Sequence, residues 1–125
     1  MKQRKALFDV FEEITQKDNR YEIEAYNFVL LGLNYTMSTL DKPRHITGKE
    51  LLEGIRVYAL EQFGPMARTV LEHWGITCSE DIGEIVFNLV EHELLGKNQN
   101  DSKEDFRGVY DFHEAFDKPF KLFNS

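Results

Sequence analysis

The chain has 125 residues, the size of one domain able to bury about two thirds of its unfolded surface. Its 42% hydrophobic and 13% aromatic content excludes a disordered chain, and its single cysteine, Cys78, excludes an internal disulfide and fits a reducing compartment. The formal net charge of −7 disfavours polyanionic partners, nucleic acid and anionic lipid surfaces alike, and favours a basic protein partner.

The opening residues, MKQRKALFDVFEEITQKD, carry acids by position 9 and no continuous apolar core, so they do not read as a signal peptide. Leu7, Val10, Phe11 and Ile14 recur instead at helical spacing, which predicts an amphipathic helix that Lys17, Asp18 and Asn19 end. A second helix is expected from about Tyr21 to Leu40, apolar on nearly all sides around Phe28, Val29, Leu30, Leu31 and Leu33, and therefore central. Its tyrosines, Tyr21, Tyr26 and Tyr35, read as core rings with hydroxyls at the edge, a ligand pocket being the weaker alternative. The apolar run Phe28 to Leu33 is far short of the roughly 18 residues that span a bilayer. A cytoplasmic protein without a membrane segment is expected.

Thr47 followed by Glu50 is a capping-box signature, so helix three starts there and buries Leu52, Ile55, Ala59 and Phe63. Gly64 and Pro65 stop it and start a short fourth helix, with Gly64 expected in the left-handed conformation. The fourth helix presents Ala67, Val70, Leu71 and Trp74 on one face, and Gly75 terminates it. Ser79 is the expected N-cap of helix five, with Glu80 and Asp81 in its first turn. That helix turns Ile82, Ile85, Val86, Leu89 and Val90 inward, and Leu94 and Leu95 close it before Gly96. The turn formers Asn98 to Ser102 then suggest a small antiparallel ribbon pairing Leu95 to Lys97 with Gly108 to Phe112.

The expected fold is one domain, mainly α with about five helices and a small C-terminal β-ribbon, its second half winged-helix-like. A helical part spans 3–45, the winged-helix-like part 46–116, and an aromatic tail 117–125. Six aromatic residues lie in the last twenty, and they must be buried either on the chain's own core or in a homodimer formed through the tail.

The charge decides what such a fold could do. Between Ser79 and Asp117 eleven acids face three bases, and the would-be recognition helix, Ser79 to Leu95, carries no lysine or arginine. It cannot neutralise phosphates or read guanine edges. Nucleic-acid contact would have to use Arg44, Lys49, Arg56 and Arg68 instead. The glycines form no phosphate-binding loop and no cofactor motif is present. Cys78 precedes a helix, whose dipole would lower its pKa, but neither His73 nor His92 has a diagnostic spacing, and an inert cysteine is the expected reading. Glu91, His92 and Glu93 point about 100° apart on a helix and cannot share a metal ion, whereas Asp105, Asp111 and His113 could converge only if their loop brings them together.

The runs RYEIEAYNFVLLGLNYT, EQFGPMA, GEIVFNLVE and EDFRGVYDF resemble a family of small uncharacterised bacterial proteins of about this length. The resemblance extends from about Phe8 to Phe120 and implies a bacterial, stand-alone, soluble domain; it carries no catalytic residue, cofactor or partner with it. The candidate partner-binding residues are Glu84, Glu91, Asp101, Ser102, Asp105, Phe106, Arg107, Tyr110 and Asp111. The expectation is a non-catalytic interaction module whose acidic surface meets a basic or aromatic partner. A transcription-associated DNA-binding protein and a small metal- or cysteine-dependent enzyme are the alternatives.

Overall fold

The computed structural model describes residues 6–96 and 102–120. Five α-helices carry the fold: α1 (Leu7–Lys17), α2 (Ile23–Ser38), α3 (Gly48–Phe63), α4 (Ala67–His73) and α5 (Ser79–Glu91). Short turns of tighter or wider helix follow at Lys103–Phe106, His113–Asp117 and Lys118–Phe120.

Helix α2 is the hub. Phe28 meets Tyr58 and Phe63, Gly32 lies under Ile55, and Gly54 lies against Thr36, so α2 and α3 run antiparallel. The contact is close because glycine stands where the helices touch: a methyl on Gly32 would sit 2.8 Å from Ile55 Cγ1. Buried Thr36 returns its hydroxyl to the Gly32 carbonyl at 2.7 Å, so no polar group is stranded there. Phe11 and Ile14 of α1, Leu71 of α4 and Ile82, Ile85 and Leu89 of α5 complete one continuous core.

The capping box of α3 is present as expected. Thr47 Oγ1 accepts from Glu50 N–H at 3.1 Å, the Glu50 carboxylate accepts from Thr47 N–H at 2.9 Å, and the Arg44 guanidinium grips that carboxylate at 2.7 Å. Gly64 takes φ 54° and ψ −133°, a positive φ but an extended ψ, rather than the expected left-handed helical pair. Gly75, φ 96°, is the tighter constraint, because a side chain there would strike the Arg20 carbonyl.

Several expectations fail in the second half: helix five ends at Glu91, before Leu94 and Leu95. Ser79 does not cap α5; Cys78 holds the cap position, and the Asp81 carboxylate accepts from Thr77 N–H at 2.9 Å. The Ser79 hydroxyl is used elsewhere, donating to the Phe106 carbonyl at 2.6 Å and accepting from Val109 N–H at 3.3 Å. The β-ribbon is the larger correction. No strand occurs among the described residues, and Lys97 lies outside them. The Val109 N–H is held by the Ser79 hydroxyl rather than by a second strand, and the chain then winds into the wide turn at His113–Asp117. With no wing, the winged-helix-like half is not supported.

The C-terminal rings pack on their own chain. Phe106, Phe112 and Phe116 are buried, and Phe112 meets Phe116 edge-to-face at 4.9 Å. Phe120 is 40% exposed, and Phe123 lies outside the described residues.

Candidate functional site

The residues singled out from the sequence fall into two groups, those the fold consumes and those it presents. Phe106 is consumed. Its ring lies over Gly83 of α5 and beside Gly48 at the start of α3, so close that a methyl on Gly83 would be 2.7 Å from Phe106 Cγ. Ser102 and Asp105 form a reciprocal cap on the Lys103–Phe106 turn, with Ser102 N–H donating to Asp105 Oδ2 at 2.8 Å. Tyr110 sends its hydroxyl to the Leu52 carbonyl at 3.0 Å, and burial pushes the phenol far above its ordinary pKa. Asp111 accepts from Glu114 N–H at 3.2 Å and begins the wide turn. Arg107 is exposed and paired at 3.4 Å with Glu104. Asp101 lies outside the described residues.

Glu84 belongs to a polar lattice between the α1–α2 turn and α5. Arg20 forks onto Asp18 at 2.9 and 2.7 Å and reaches Glu84 at 3.1 Å, and Lys103 reaches Glu84 at 3.0 Å. Asn88 donates to both Asp18 and Tyr26 at 3.0 Å. The hydrogen bonds from Arg20 hold the Asp18 carboxyl far below its usual range. Burial pushes Glu84 up, but Lys103 and Arg20 outweigh it and leave the carboxyl low. Beside this lattice the Tyr21 hydroxyl donates to Asp81 at 2.5 Å, and Asp81 also takes the Thr77 hydroxyl and the Cys78 thiol.

The chemistry open to Cys78 follows from those contacts. Burial pushes its thiol up, opposite to the lowering that a bare helix dipole would give. His92 caps the other end of α5, roughly 20 Å away at the helical rise per residue, and cannot serve Cys78 as a base. Among the described residues no three His, Cys, Asp or Glu side chains are grouped to hold a metal ion. Of the cations suggested for nucleic acid, Arg44, Arg56 and Arg68 are each engaged by a carboxylate, with Lys49 exposed.

Glu91 is presented, and beside it Glu93, which the sequence offers only as a discarded metal ligand. Helix α5 ends in a complete Schellman arrangement, Leu94 N–H donating to the Leu89 carbonyl at 2.9 Å and Glu93 N–H to the Val90 carbonyl at 3.0 Å. The left-handed position that glycine usually fills is occupied by Glu93, at φ 62°. Both Glu91 and Glu93 are exposed, and among the described residues neither has an ion-pair partner. They line an open groove of about 850 Å³ together with Phe87, Val90, Leu94, Leu95 and Lys103.

The chain matches no protein-family model, no curated protein and no solved structure. What it does is therefore argued from this geometry. No helix among the described residues is long and apolar enough to cross a membrane.

Proposed function

We propose that the protein is a non-catalytic cytoplasmic interaction module that receives a basic, amphipathic protein segment in the groove at the C-terminal end of α5. Phe87, Val90, Leu94 and Leu95 supply the apolar floor for a partner's apolar face, and Glu91 and Glu93 supply charge for its lysines or arginines. The observation that carries this reading is Glu93 itself. A glutamate at a left-handed position costs about 1 kcal/mol that glycine would avoid, and the side chain makes no ion pair among the described residues in return. The resemblance to small bacterial proteins is compatible with such a module and adds no activity to it.

The test is affinity capture from the native host with nuclease-treated controls, using the wild-type chain beside Glu91→Lys and Glu93→Lys. A stoichiometric, nuclease-resistant partner that both variants lose, at unchanged melting temperature, is the expected result. Retention of the partner by both variants would remove the groove from the account. Reversing Asp105 would be a poor probe, because it dismantles the cap at Ser102 and confounds binding with folding.

A further inference from the structure

A second cleft, between the start of α2, the end of α3 and the end of α4, is lined by rings. Phe28, Tyr58, Phe63 and Trp74 stand in one connected cluster, with Phe28 centred 5.3 Å from Tyr58, 5.4 Å from Phe63 and 5.6 Å from Trp74. Phe63 meets Trp74 edge-on at 5.8 Å. Phe28 is buried, whereas the other three rings are half-buried and so reach the surface. Exposed Glu24 stands at the mouth without an ion-pair partner among the described residues, and no lysine or arginine lines the cleft.

We propose that this cleft binds an alkylated ammonium group, either the head of a free small molecule such as choline or a trimethylated lysine side chain. Three features narrow the ligand to that class. The cleft holds about 190 Å³, below the roughly 300 Å³ at which pockets for whole drug-sized ligands begin, so it takes a group rather than a nucleotide or sugar chain. The aromatic lining and a single carboxylate favour a cation, but they cannot replace the six or more oxygen ligands that a hard metal ion demands. A cation wrapped in methyl groups gives up little hydration on entering an aromatic wall, and it leaves Glu24 as its counter-charge. The site is separate from the α5 groove and stands or falls independently of it.

Trp74 is the chain's one tryptophan, so its fluorescence reports this cleft directly. The wild-type protein is titrated with tetramethylammonium chloride, with sodium chloride at matched ionic strength, and with neopentyl alcohol as the uncharged analogue. A saturable change with tetramethylammonium alone, with a Kd on the order of 1 mM, is expected. Glu24→Gln, at an exposed position, should weaken it about two- to fivefold, and Phe63→Leu should weaken it further at unchanged circular dichroism. No response beyond that of sodium chloride, an equal response to the alcohol, or indifference to Glu24→Gln would overturn the proposal. A peptide bearing trimethyl-lysine, compared with its unmodified form and with choline, then separates the sources. Tighter binding of the modified peptide assigns a protein side chain, tighter binding of choline assigns a free metabolite, and equal binding assigns the trimethylammonium group as the whole ligand.

Discussion

Gly83 sits in the middle of α5, where alanine would ordinarily be worth about 1 kcal/mol more to the helix. Here that gain is lost, because the added methyl would lie 2.7 Å from Cγ and 2.8 Å from Cβ of Phe106, the rigid root of a buried ring. Overpacking at such a position costs about 1–3 kcal/mol, so Gly83→Ala should destabilise the protein on balance, as read by urea unfolding. Stabilisation would mean that Phe106 is not seated between α5 and α3. Tyr110 offers the complementary case. Its hydroxyl adds a second hydrogen bond to the Leu52 carbonyl inside α3, and Tyr110→Phe removes that bond at a cost of about 1 kcal/mol. The same burial that raises the phenol's pKa adds stability below the unfolded value near 10, and this is lost as pH climbs through the raised folded value. The alkaline limb of the unfolding profile should therefore be shallower in Tyr110→Phe. Residues that look surplus to packing in the sequence, Phe106 and Tyr110 among them, prove to be packing residues.

At the scale of the element, caps explain both what the sequence made legible and what it concealed. Helix α3 was readable from Thr47 and Glu50 because the capping box is written in adjacent residue types. The ends of α5 were not, since at the front the Ser79 hydroxyl has a long-range use at Phe106. At the back, Gly96 looks like the terminator, whereas the helix ends five residues earlier, at Glu91, with Glu93 in the glycine position. The C-terminal segment looks like a strand because Gly-Val-Tyr-Asp-Phe has strand-like residues, and nothing local shows that Ser79, rather than a second strand, holds Val109. Turns of the kind at Lys103–Phe106 and His113–Asp117 are too short to leave a hydrophobic period. The prediction at this scale concerns Glu93. Glu93→Gly relieves the left-handed strain and should raise stability by about 1 kcal/mol in thermal or chemical unfolding, while weakening capture of the partner. Greater stability with undiminished binding would show that the carboxylate has no recognition role.

Across the whole molecule, the acid excess of residues 79–117 looks in the sequence like a surface waiting for a cation, and the fold answers part of it from within. Arg20 pairs with Glu84 and Arg68 reaches Asp117 at 2.6 Å, so bases distant in sequence meet acids of α5 and the C-terminal turns, and Lys103 from within the segment also closes on Glu84. Each such pair is half-exposed and worth little alone, yet together they set the response to pH. Asp18, Glu84, Asp81 and Asp117 all have carboxyls held below their usual values in the folded chain. The unfolded chain therefore binds more protons in acid, and the stability these groups supply is complete above about pH 5 and is lost as pH falls through 4 and below. Urea unfolding at steps from neutral pH to about pH 3 should show that decline, and Arg20→Met should flatten its upper part. Arg20 is the natural lever because it is the largest influence on Asp18 and also contacts Glu84. A profile unchanged by Arg20→Met would overturn the assignment, because the hydrogen bonds from Arg20 to Asp18 and Glu84 would then carry none of the acid response.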